Sequence, residues 1–105
     1  MEEKQQQEEE LEVLVVLELK GLQNQDIFEK HVTKEGFKIV EGEKFAYSGK
    51  STTGTFSTKA YILEIFRKGL SKVEFETCGM IFQIGDMPWQ AYKFDKTTNE
   101  FNEVK

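Results

Sequence analysis

The most constraining stretch of this chain is Leu11–Leu19, LEVLVVLEL. Val13, Val15, Leu17 and Leu19 fall on one side of an extended strand, and Leu14 and Val16 make the other side apolar as well. A strand that is apolar on both sides over its middle must be covered on both sides. At 105 residues the chain is the size of one ordinary domain, and it has few elements with which to supply two covers. The uncharged run Val13–Leu17 is far short of the roughly 20 residues that cross a bilayer. No basic segment precedes it as in a secretory signal, so the expectation is a chain that makes no use of a membrane.

Only one segment has a plainly helical period. Ile27, Phe28, His31 and Val32 recur along one face, with Asn24 as an N-cap, Asp26 in the first turn and Gly36 as the stop. Beyond it the punctuation is that of β structure. Phe37–Val40 and Lys44–Ser48 read as strand, Gly49–Ser57 as a turn-rich link and Thr58–Phe66 as a second strongly apolar strand. Residues 71–85 allow two readings. Ser71 and Glu74 match a capping box, but Val73, Phe75 and Thr77 alternate with charges, and Met80, Phe82 and Ile84 continue at spacing two. A strand with a bulge near Cys78–Gly79 fits better, because a helix would put Glu74 in its apolar arc. Trp89–Asp95 and Glu100–Val104 read as a final hairpin.

These elements predict a mainly β fold: a small antiparallel barrel with one short helix, its uncovered side turned to a partner chain. The alternative is an α+β, ferredoxin-like βαββαβ fold, which is tied here to residues 72–84 being helical. Residues 1–10 hold five Glu and one Lys, a net of −4, and read as a flexible acidic arm ahead of a single β-rich domain over 11–105. The remainder has 13 basic and 14 acidic side chains, net −1, so no global field draws in nucleic acid.

The rare residues exclude more chemistry than they suggest. One cysteine and one histidine make neither an internal disulfide nor a zinc site of the usual type. That cysteine usage, with no Asn-x-Ser/Thr sequon, points to a reducing, intracellular compartment. Gly49-Lys50-Ser51 has the ending of a phosphate loop, yet Lys44 stands where that loop needs its first Gly, and no helix is expected to follow. It reads as a polar hairpin loop. His31, with Glu29 or Glu35 for acid–base work, lacks a nucleophile and reads as a packed histidine. Cys78 follows acidic residues that disfavour a thiolate, and reads as structural. No catalytic, cofactor-binding or metal-binding residue emerges, and the chain reads as a non-enzyme without cofactor. Lys50, Lys59, Arg67 and Lys68 are the candidate nucleic-acid contacts, with Phe45, Tyr47 and Tyr61 interleaved. Leu14, Val16, Ile62, Phe66, Met87 and Trp89 are the candidate partner-interface residues.

The acidic leader followed by Val13–Gly21 resembles the opening of the small subunit of RNA polymerase III transcription factor IIIC. The likeness continues through Ile39–Thr55 and Ala60–Ile65, and more weakly over Val73–Ile84. A similar pattern, including Gly49-Lys50 after a strand, occurs in the small chromosome-transmission-fidelity subunit of an alternative sliding-clamp loader. Either resemblance implies a non-catalytic nuclear subunit in an obligate heterodimer with a larger subunit. The pair would be joined through a triple β-barrel and would reach DNA only through the assembly.

Overall fold

The computed structural model describes residues 10–104, so the acidic arm, Glu10 apart, lies outside the described residues. The elements run β1 (Leu11–Lys20), α1 (Gln25–Lys34), β2 (Lys38–Ile39), β3 (Ala46–Ser51), α2 (Thr55–Leu70), β4 (Thr77–Ile84), β5 (Gln90–Asp95) and β6 (Glu100–Glu103). All six strands join one antiparallel sheet in the order β2-β3-β1-β4-β5-β6. The fold is thus mainly antiparallel β, as expected. The sheet is open, with β2 and β6 at its edges.

There are two helices, not one, among the described residues. Thr58–Phe66, expected as a strand, lies inside the 16-residue α2. Its buried residues are Thr58, Ile62, Ile65, Phe66, Gly69 and Leu70, which is the 3.6-residue period of a helix with one covered side. On the opposite side Glu64 pairs with Arg67 at 2.7 Å and Lys68 at 3.7 Å, the three- and four-residue spacings at which helix side chains meet.

With α2 in place, β1-α1-β2-β3-α2-β4 and the order β2-β3-β1-β4 reproduce the split βαβ connectivity of ferredoxin-like folds. The condition attached to that alternative does not hold. Residues 77–84 are strand, and the second helix lies upstream of them. β5 and β6 extend the sheet on the β4 side. The expected bulge is also absent, since Leu19↔Cys78 and Glu18↔Gly79 stay in register.

Both helices pack on one face of the sheet. Val15 stands opposite Tyr47 and Phe82, Val13 opposite Gly49 and Ile84, and Leu17 opposite Met80. These residues form one core with Phe28 and Val32 of α1 and Ile62, Ile65, Phe66 and Leu70 of α2. Phe66 sits at its centre, with ring centroids 5.1 Å from Phe37, 5.7 Å from Tyr47 and 6.1 Å from Phe28, within the range of favourable aromatic pairs.

Gly69 sets how closely α1 and α2 approach. A Cβ there would stand 3.0–3.1 Å from the Phe28 ring and 3.2 Å from His31 Cδ2. Asn24 does begin α1, but in a left-handed conformation and without a side-chain capping bond. Gly36, at φ 106°, ends the turn after it as expected.

Candidate functional site

The feature of this molecule that asks for a function is the other face of the sheet, which no helix covers. Side chains alternate across a strand, so the residues between the core positions of β1, β4 and β5 point away from the helices. Val16 lies opposite Ile81, and Ile81 opposite Ala91. Val104 closes this row with a backbone bond to Ala91. One row along, Leu14 stands opposite Gln83, whose amide nitrogen donates to the Met87 carbonyl at 3.0 Å, and Trp89 immediately precedes Gln90, the β5 partner of Phe82.

The result is a contiguous apolar band in which Ile81 is 42% exposed, Trp89 47% and Val104 50%, with Leu14 and Val16 half-buried. Gly79, lacking a side chain, opens a shallow depression of about 430 Å³ between Glu18 and Lys93 beside it. Charges of both signs frame the band: Glu18 and Lys20 on β1, Lys93 and Asp95 on β5.

Of the six interface candidates, Leu14, Val16 and Trp89 share this face and Met87 lies at its rim. Ile62 and Phe66 do not belong to it. Both are fully buried, at 0% exposure, against the opposite side of the sheet, because their segment coils into a helix whose apolar side, shared by residues four apart, is turned into the core. Ile81, Ala91 and Val104 belong to the same uncovered face, and sequence reasoning missed them. The alternation of Met80, Phe82 and Ile84 already places Ile81 on the reverse side, next to Val16 once the two strands pair.

The basic candidates do not form one surface. Lys50 is on the uncovered side of β3 and approaches Glu10 at 3.8 Å. Lys59 lies on α2 above the Tyr92 ring, 5.7 Å from its centroid, and Arg67 and Lys68 are paired with Glu64. Of the interleaved aromatics, Phe45 and Tyr47 are buried. Tyr61 donates its hydroxyl to the Glu35 carbonyl at 2.9 Å.

Gly49-Lys50-Ser51 is followed by a helix after all, since α2 starts at Thr55. The segment is nevertheless no phosphate cradle. Its three residues are paired with Val13, Glu12 and Leu11 in the sheet, so the backbone is an extended strand and not the curved loop that wraps a phosphate. The Ser51 hydroxyl lies 2.7 Å from that of buried Thr58, which is 3.1 Å from Thr53 Oγ1. This hydroxyl cluster ties the end of β3 to the first turn of α2, beside a cavity of about 480 Å³ walled by Phe37, Ser57 and Tyr61.

His31 packs between the helices. Its Nε2 lies 3.1 Å from the Ile65 carbonyl and must carry the proton there, because a carbonyl only accepts. Burial pushes the Cys78 thiol up to about 12, the reverse of what a nucleophilic cysteine requires. Burial, and then the Glu29 carboxylate that the Tyr47 hydroxyl faces at 3.4 Å, likewise raise Tyr47 far above the ordinary phenol range. Among the described residues no group of acidic, histidine and cysteine side chains could hold a metal ion. No described helix is long and apolar enough to cross a membrane.

Set beside known proteins, the chain matches no family model, no curated protein and no solved structure.

Proposed function

We propose that this chain is a non-catalytic pairing subunit that docks a partner protein on the uncovered face of its sheet. The apolar band of Leu14, Val16, Ile81, Ala91, Trp89 and Val104 carries the reading. Sheets in stable folds bury their apolar faces, and an exposed apolar patch rimmed by polar groups is the usual mark of a protein–protein contact. Trp89 and Met87 add the residue types enriched at the anchoring centres of such contacts.

A nucleic-acid platform is the less favoured reading. Single-stranded RNA is held on βαββαβ sheets by aromatic rings on the central strands, where this sheet presents Leu14, Val16, Ser48 and Lys50. The resemblance to the transcription factor IIIC subunit implies a strand over Ala60–Ile65, and that segment is helical. The pairing role is therefore drawn from the sheet itself.

The test is indifferent to the identity of the partner. Ile81→Asp should leave the circular dichroism spectrum intact. It should reduce binding of an apolar fluorescent dye or, where the face is already occupied, the hydrodynamic size. If Ile81→Asp and Val16→Asp alter neither, the face docks nothing and the reading fails.

A further inference from the structure

Resting on that reading, we infer that the occupant of the uncovered face is a second copy of this chain, stacked sheet on sheet about a twofold axis running along β4. Such an axis maps β4 onto itself and β1 onto β5 of the other copy, because β1 and β5 flank β4 on either side. The cross-strand register then dictates the pairs. Ile81 meets Ile81 of the second copy and Val16 meets Ala91, while Leu14 falls toward Trp89 across a row whose centre, Gln83, meets the Gln83 amide of the second copy.

The charges agree without further adjustment. Glu18 and Lys93 both flank Gly79, so the rotation lays Glu18 of each copy over Lys93 of the other. Two residues further along the same faces, Lys20 falls on Asp95. Two acid–base pairs per half come from one symmetry operation that was chosen to match the apolar rows. A twofold contact of this kind is isologous, the commonest symmetry of protein assemblies. Aligned sheets stack with their mean strand directions within about 30° of each other and roughly 10 Å between layers, a gap that Glu and Lys side chains can span.

The area also suffices. Five strands spaced about 4.8 Å apart, with some 25 Å of strand length, present roughly 600 Å² of flat surface. That approaches the ~800 Å² of accessible area that each partner contributes to a standard interface.

Reciprocity provides the decisive experiment. Glu18→Lys and Lys93→Glu are each made on exposed positions, and each is checked for an unchanged circular dichroism spectrum. Sedimentation of the full chain should show a dimer for the parent protein. Dissociation should be about tenfold easier in each variant, because every substitution acts twice in a twofold contact. Mixing the two variants should restore the dimer. The Glu18→Lys ammonium of one copy then meets the Lys93→Glu carboxylate of the other, and the unaltered Lys93 of the first meets the unaltered Glu18 of the second. Trp89, the single tryptophan, should shift its emission to the blue on association. A parent protein that stays monomeric across the dilution series overturns the proposal, and so do variants that dimerise like the parent or fail to re-associate when mixed. If the parent is monomeric but Ile81→Asp lowers dye binding, the face still docks a different protein. If dye binding is unmoved as well, the docking reading falls too.

Discussion

The two faces of this sheet are made from the same strands and differ in what covers them. On β1, Val13, Val15 and Leu17 meet helices and aromatic rings and are almost completely enclosed. Between them Leu14 and Val16 belong to a thinner layer of aliphatic side chains framed by ion-forming groups. The covered face holds the fold together with large rings at its centre. The uncovered face has mainly aliphatic side chains with one tryptophan, one glycine depression and mixed charges at its border, which suits a contact that forms after folding. Apolar character alone therefore does not tell a core from an interface; what surrounds it does.

The sharpest way to break this contrast is to truncate the centre of the covered face. Phe66→Ala, read by chemical denaturation, should cost about 3–5 kcal/mol, whereas Ile81→Ala should leave the stability of the isolated chain almost unchanged. Gly69→Ala pushes a methyl group into Phe28 and His31. It should cost about 1–3 kcal/mol by overpacking, visible as a lowered Tm. Thr58→Val keeps the shape of a buried side chain and removes its hydrogen bonds to Ser51 and Thr53, whose hydroxyls remain bonded to each other at 2.9 Å. A loss of about 0.5–1.5 kcal/mol in the same denaturation experiment is expected.

Alkali probes the covered face differently. The Cys78 thiol ionises near 9.0 when unfolded and at about 12 when folded, so the unfolded chain gives up its proton first. Stability is then complete below pH 9 and falls as pH rises toward 12, by about 1.4 kcal/mol per pH unit for a single group. Cys78→Ala should flatten that fall, and Tyr47, also raised by burial, should leave a residual slope starting above pH 10. The smallest expected effect is that of Ile81→Ser. A change within about 0.5 kcal/mol, together with loss of association, would show that the two faces divide stability and assembly between them.

The strands were legible wherever alternation was clean. β1 and the β5–β6 hairpin follow directly from apolar spacing in the chain, and so does α1, whereas β4 occupies only the second half of the ambiguous 71–85 stretch. α2 reads as a strand because TKAYILEIF is rich in β-branched and aromatic residues, and because a nine-residue window hides its period. Extending the window to Leu70 brings in Gly69 and Leu70, and the set Thr58, Ile62, Ile65, Phe66, Gly69 and Leu70 then spaces as a helix. The interface was half legible for the same reason. Leu14, Val16 and Trp89 could be read from strands alone, whereas Ile62 and Phe66 required knowing that their segment coils. Ile81 and Val104 needed the pairing of β4 with β1 and β5, which is information about register that no local pattern contains.

The lateral ends of the sheet limit what any association can become. β2 is only two residues long, and β6 is four residues carrying Glu100 and Glu103. Short or charged borders of this kind discourage strands of neighbouring molecules from adding on in line. In the proposed stacked pair, growth by stacking would also stop once the single bare side had been used, so that both directions of association end at a discrete particle.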